Sequence, residues 1–317
     1  MFLDEDPWTS EFFLGVDSYG IGIPCSDTWA WELLPKYRWL YNKMEICKTQ
    51  NIPAHPDGMN PPKSVFPVIC RPIINLYGMG CGIKVCQTFE EWDKDDYSPG
   101  HFWMPYFEGL HLSMDLAVSG GVSRWFCLMQ GMDPHAIGVF DYWQIRSLGG
   151  LDDKSLGRMI DEWIANHLPD YTGMLNIELI GNRIIEVHPR MSSQFVDLYG
   201  GRRWVESVAN LYKTGAWDSD FCSPSVGYSV VLWTQQDGCY SHAHLPHLSH
   251  YGVSSIQYTF EDVESNLNAE RLSEYPGDGK NFRLAIINDS SREKAFRVRE
   301  KLQQGIHRKL EPLEKEK

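Results

Sequence analysis

Glu178, Glu186, His188 and Arg190 lie close together in the run Asn-Ile-Glu-Leu-Ile-Gly-Asn-Arg-Ile-Ile-Glu-Val-His-Pro-Arg, residues 176–190. Leu175, Ile177 and Leu179, then Ile184, Ile185 and Val187, are strand-forming residues, and Gly181-Asn182 between them is turn-forming, so the run reads as a hairpin. Glu178 and Glu186 then face each other across paired strands, while Glu186 and His188, two apart, share a face. Two carboxylates and one imidazole in that arrangement are ligands for a divalent cation. Mg²⁺ prefers carboxylates plus the phosphates of a bound nucleotide, whereas an imidazole suits Mn²⁺ or Zn²⁺ better. Arg190 can fork onto a phosphate or a carboxylate. A surface hairpin with a charged rim would use the same residues, and the hairpin alone does not separate the two.

A second segment has phosphate chemistry of its own. Residues 66–86 read as an apolar strand carrying Arg71, a loop with Gly78, Gly80 and Gly82, and another strand carrying Lys84. Glycines let backbone N–H groups approach an anion closely, and Arg71 or Lys84 adds positive charge. No Gly-Lys-Ser/Thr follows and the continuation is strand-like, so neither a Walker loop nor a dinucleotide fingerprint fits. A flexible hairpin covering phosphates is the functional reading; a purely structural glycine hairpin is the other.

Two further groups of metal-capable residues are weaker. His242, His244, His247 and His250 follow Asp237 and Cys239, a spacing at which imidazoles can ligate Zn²⁺, but Pro246 breaks any regular face and a non-metal loop is favoured. Cysteines at 25, 47, 70, 81, 86, 127, 222 and 239 show no Cys-x-x-Cys pair, which favours free thiols in a reducing cytoplasm over disulfides or a zinc knuckle.

The elements that must position these residues are sketched by pattern. Leu156, Met159, Ile160, Trp163, Ile164 and Leu168 recur at helical spacing over 152–168, with an apolar face meant for the core. Residues 131–151 contain glycines and read as a surface connection, and 309–317 as a charged, frayed helix end. The 317 residues, 43% hydrophobic and 13% aromatic, suffice for a core of one large domain or two to three lobes; most of the 12 tryptophans belong in it. A net charge of −13 argues against nucleic acid as a partner. No basic leader or bilayer-length apolar run is visible, so no membrane association and a cytoplasmic location are expected.

The order of these pieces resembles the ATP-grasp superfamily, in its carboxylate-amine ligase and carboxylase-like branch. The resemblance is carried by the strand Pro-Val-Ile-Cys-Arg-Pro, the glycine-rich loop, His-Phe-Trp-Met-Pro-Tyr-Phe-Glu-Gly-Leu-His-Leu-Ser-Met-Asp at 101–115, Glu178, and Glu-Val-His-Pro-Arg at 186–190. It implies an α+β fold in which two lobes hold ATP between them. It also implies a truncated N-terminal segment (1–40), an ATP-grasp domain (41–225), and a strand-rich segment with a closing helix that completes the domain (226–317). By the same resemblance Lys43 and Arg71 hold phosphates, Gly78, Gly80 and Gly82 close over them, Met104 to Tyr106 face adenine, and His111 meets the ribose. Glu178, Glu186 and His188 bind Mg²⁺ or Mn²⁺, and Arg190 grips the acyl phosphate or carboxylate. Arg71 stands where lysine is usual in the family, His111 where an acidic residue is common, and His188 where asparagine completes the metal site. The implied activity joins small-molecule carboxylate and amine (or thiol) substrates. The alternative is a non-catalytic, regulatory nucleotide-binding homologue. The short front segment and abundant aromatics leave room for a homodimer.

Overall fold

The computed structural model describes residues 13, 21–76, 82–92, 98–146, 151–218, 220–234, 239–242, 253, 255–258 and 282–309. Two short helices lie near the start of the described residues. Helix α1 (Asp27–Leu33) starts where the Ser26 hydroxyl accepts from the Trp29 N–H, and α2 (Lys43–Thr49) where the Asn42 side chain accepts from the Met44 and Glu45 N–H groups. Both are side-chain caps that satisfy orphan first-turn donors. Strands β1 (His55–Pro56), β2 (Val68–Pro72), β3 (Lys84–Cys86) and β4 (His101–Pro105) then form an antiparallel sheet in the order β1-β4-β2-β3. One face of it, through Ile69, Phe102 and Met104, packs on Cys47 of α2 and on Ile52.

The larger sheet contains β5 (His111–Ser119), β6 (Val122–Ala136), β7 (Val139–Ile145), β8 (Gly173–Ile180), β9 (Arg183–His188), β10 (Tyr228–Thr234), β12 (Ser255–Tyr258) and β13 (Phe282–Asp289), in the order β12-β13-β10-β7-β6-β5-β8-β9. A separate pair joins β11 (Cys239–His242) to β14 (Ile306–Lys309). Alternation along β5 and β8 decides what faces where. Leu112, Met114 and Leu116, with Leu175, Ile177 and Leu179, turn to α3 (Leu151–His167), which buries Leu156, Ile160, Trp163 and Ile164 against them, together with Leu168 just beyond. His111, Ser113, Asp115, Asn176 and Glu178 are left on the opposite face. There α4 (Gly201–Thr214) covers only the far part, packing Trp204, Val205 and Val208 on Trp125, Cys127 and Met129. Helix α5 (Arg292–Gly305) covers β10, β12 and β13 through Ala295, Val298 and Leu302. Among the described residues no helix is long and apolar enough to cross a membrane.

Two sequence expectations are corrected. Residues 131–151 are not a surface connection: Gly131 lies within β6, 139–145 form β7, and α3 begins at Leu151. The break that glycine suggested is a packing device, because a Cβ on Gly131 would sit 2.7 Å from the Phe140 ring. That ring in turn packs on His111 and Trp143, at centroid distances of 5.0 and 4.9 Å. Gly131→Ala is therefore expected to cost about 1–3 kcal/mol through overpacking, read as a lower denaturant midpoint with an unchanged slope. Residue 309 likewise ends a strand rather than a helix, because β14 pairs with β11.

Candidate functional site

The hairpin forms with Gly181-Asn182 as its turn: Ile180 pairs with Arg183, and Gly181 has a φ of 57°. Glu178 and Glu186 are direct cross-strand partners, after which the register shifts so that Leu179 pairs with Ile184. Like charges opposite each other are destabilising unless cations compensate. Here cations arrive from outside the sheet. β9 is its edge strand, and Gln50, just past α2, acts as a short surrogate partner: its side-chain amide donates to the Ile184 carbonyl (2.8 Å) and accepts from the Ile184 N–H (2.9 Å). This clamp brings the start of α2, and Lys43 with it, over the hairpin.

Lys43 Nζ lies 3.6 Å from Glu186 Oε2, and Arg71 Nη2 of β2 donates to Glu186 Oε1. Both cations are almost fully buried, at 4% and 6% exposure. Burial, with Arg71 alongside, brings the Lys43 ammonium down to about 7, and burial lowers the Arg71 guanidinium to about 10. Arg71 Nε is buried with no hydrogen-bond partner. Two desolvated cations beside the facing carboxylates Glu178 and Glu186, with one guanidinium donor unused, leave hydrogen-bonding capacity for a further anion. Lys84 is exposed on β3.

The opposite side of Glu186 carries a second network. His188 Nε2 is 3.3 Å from Glu186 Oε2, and His188 Nδ1 is 3.0 Å from Asp27 Oδ1 at the start of α1. Arg190 forks onto the same Asp27, Nε to Oδ1 and Nη2 to Oδ2, both at 2.7 Å, and Nη1 donates to the Met191 carbonyl. Tyr41 donates to Asp27 Oδ1 at 3.1 Å. Burial pushes the Asp27 carboxyl up, but Arg190 and His188 outweigh it and hold the group far below the usual carboxylate range. Glu178 hydrogen-bonds His111 Nε2 at 3.2 Å; burial raises its carboxyl, and His111, His188 and Arg190 bring it down to about 2.

Beneath these groups Asp115, 1% exposed, fixes the chain that leaves Arg190. It accepts from Asn176 Nδ2 (2.7 Å), the Ser192 N–H (3.0 Å) and the Tyr199 hydroxyl (2.6 Å). Burial raises its carboxyl to about 6, with those three hydrogen bonds only partly offsetting the effect. A raised carboxylate contributes stability below its unfolded value near 4 and loses it as pH rises to about 6. Asp115→Asn should therefore trail the wild type by roughly 2 kcal/mol more at pH 4 than at pH 7, measured by denaturant melts; a pH-independent gap would contradict this.

The structure thus brings Lys43, Arg71, Glu178, Glu186, His188, Arg190 and His111 into one network between the two sheets. Met104 is buried against Cys47, and Tyr106 packs on the same apolar cluster beside Arg71's strand, its N–H bonded to the Pro67 carbonyl. Gly82 has a φ of 75°, and a Cβ there would meet His101 Nε2 at 2.9 Å; Gly78 and Gly80 lie outside the described residues. So do His244, His247 and His250. Among the described residues Cys25, Cys47, Cys70, Cys86, Cys127 and Cys222 are not in disulfides. Asp27, Tyr41 and Asp115 were not anticipated from sequence. The one local signal for Asp27 was Ser26 as a helix cap, and nothing in it links Asp27 to an arginine 163 residues away.

Among the described residues, no three His, Cys, Asp or Glu side chains form a ready-made metal cage. Mg²⁺ and Mn²⁺ can be held by one or two carboxylates, with phosphate oxygens and water completing the shell. The orphaned Arg71 Nε and the paired carboxylates suit a phosphate and its cation together.

The architecture, a four-stranded sheet and a larger antiparallel sheet meeting over such a site, is the ATP-grasp fold. L-amino acid ligase from Bacillus licheniformis superposes with a TM-score of 0.62 at 12% identity, covering 90% of this chain and 77% of the ligase. N5-carboxyaminoimidazole synthase from Aspergillus clavatus, in complex with ADP and its aminoimidazole ribonucleotide, gives 0.58 at 9%, over 88% and 79%. The biotin carboxylase domain of 2-oxoglutarate carboxylase from Hydrogenobacter thermophilus, with MgADP and bicarbonate, gives 0.56 at 15%, over 88% and 68%. No protein-family model matches the chain, and no curated protein does. At these identities the likeness establishes the fold alone.

Proposed function

We propose that the protein is an ATP-dependent ligase that joins a small-molecule carboxylate to an amine, or to a thiol, through an acyl phosphate. The observation that carries this is the pair of buried cations, Lys43 and Arg71, converging on Glu186 where it faces Glu178. Arg71 keeps a buried donor with no partner beside the desolvated Lys43 ammonium, and a phosphate can accept from both.

In this reading Lys43 and Arg71 neutralise the nucleotide phosphates. Met104 and Tyr106 border adenine, and His111 meets the ribose. Glu178, Glu186 and His188 hold the divalent ion, which when bound screens the phosphates and polarises the one being transferred. Arg190, its plane set by Asp27, neutralises the acyl phosphate. Transfer of this kind needs positioning and charge stabilisation but no covalent nucleophile on the protein. The structural neighbours named as an L-amino acid ligase and as a ligase of phosphoribosylamine with glycine support the carboxylate-amine class.

The test is ADP release by the purified protein with ATP, Mg²⁺ or Mn²⁺, and a panel of amino acids and small acids. Release that requires one acid and one amine together supports the ligase. Nucleotide binding with no release for any pair would replace it with a non-catalytic nucleotide-binding protein.

A further inference from the structure

Asp27 touches two of the proposed functional groups at once, although it comes from a helix outside both sheets. Both of its oxygens accept from Arg190, a group with donors only, so Asp27 is an acceptor toward its other neighbours. Its Oδ1 lies 3.0 Å from His188 Nδ1. Nδ1 must therefore carry a proton, so the nitrogen able to offer a lone pair to a metal ion is Nε2. That nitrogen stands 3.3 Å from Glu186 Oε2, which is also an acceptor. Two facing acceptors at this distance need a proton or a metal ion between them, and a divalent ion bound there takes the place of the proton. Lys43 approaches the same oxygen, at 3.6 Å, from the other network. Adjacent ligands of an octahedral ion, each at about 2.1 Å, stand about 3.0 Å apart, close to the spacing found here.

We infer that Asp27 is the outer carboxylate of a nitrogen-bearing metal site: it locks His188 in the Nδ1–H tautomer, so that Nε2 and Glu186 together bind a divalent ion, and it tilts the site toward Mn²⁺ over Mg²⁺. The preference follows from ligand type, since an imidazole nitrogen favours first-row transition ions over magnesium. The dependence on Asp27 follows from how outer carboxylates act on a metal-bound histidine: they fix its tautomer and ring orientation and raise its basicity. Tyr41 supports the same oxygen and packs edge-on to the His188 ring, at a centroid distance of 5.8 Å, so the imidazole is held from two sides. This inference rests on the reading of the site as one for metal and nucleotide.

Two measurements test it. In metal-free protein, ¹⁵N shifts of His188 should report a proton on Nδ1; a proton on Nε2 instead overturns the proposal without reference to any metal. With Mn²⁺ and ADP, electron spin-echo modulation should show a directly bound imidazole nitrogen, which His188→Asn should abolish. Asp27→Asn should weaken Mn²⁺-ADP binding by about 10–100-fold and Mg²⁺-ADP binding by far less. Absence of nitrogen modulation in the wild type, or equal losses for the two ions in Asp27→Asn, would overturn the proposal. If Asp27→Asn does not fold, His188→Asn carries the test: its Mn²⁺ preference must fall to parity with Mg²⁺, and retained preference refutes the assignment. ADP binding that neither ion improves in the wild type would instead remove the metal-nucleotide reading itself, and this inference with it.

Discussion

Glu186→Ala is expected to abolish metal-dependent nucleotide binding, by about 100-fold or more, and to lower folding stability by roughly 3–5 kcal/mol. Glu186 contacts both Lys43 and Arg71, and His188 Nε2 faces it too. Without it two nearly fully buried cations lose their contact partner, and removing one member of a buried ion pair costs far more than the pair contributes. The metal loses a ligand in the same step. Calorimetry with ATP and either ion reads the first effect and denaturant unfolding the second. Unchanged affinity and unchanged metal dependence would show that the hairpin is not the nucleotide site.

Arg71→Met should separate the two effects. Its neighbours on that face of the small sheet, Ile69 and the paired Phe102, are apolar, so a methionine of similar length can fill the space. Glu186 keeps Lys43 and is not orphaned. Folding stability should accordingly hold to within about 1 kcal/mol, while ATP affinity falls by roughly 10–100-fold, the worth of a lost charge-assisted contact to phosphate. A residue that is nearly dispensable for folding yet required for binding is what a phosphate ligand should be. The reverse pattern, a large stability loss with ATP affinity intact, would make Arg71 a structural counter-ion to Glu186.

The parts of this site that were legible in the sequence are those encoded by local periodicity. The strands around Gly181-Asn182 and the apolar stripe from Leu156 to Leu168 follow from alternation of two and of about 3.6 residues, which local sterics enforce. Glu178 facing Glu186 follows from the same alternation once the turn is fixed. What stayed hidden depends on contacts between residues far apart in the chain. Gln50 clamps an edge strand 134 positions later, and Asp27 ties down Arg190 from a short aromatic stretch with no regular pattern. Gly131 misled because a glycine that makes room for a neighbouring ring looks, in sequence, like one that breaks a strand. Arg190 shows a subtler limit. Its forked chemistry was readable, but the carboxylate it forks onto in this structure belongs to the protein itself.

The most direct test of the central claim is calorimetric titration of ATP into the purified protein without metal, with Mg²⁺ and with Mn²⁺. The site described here predicts saturable binding near one nucleotide per chain, tightened at least about tenfold by a divalent ion that bridges carboxylate and phosphate. Binding of equal strength with and without metal, or no binding at all, would contradict it.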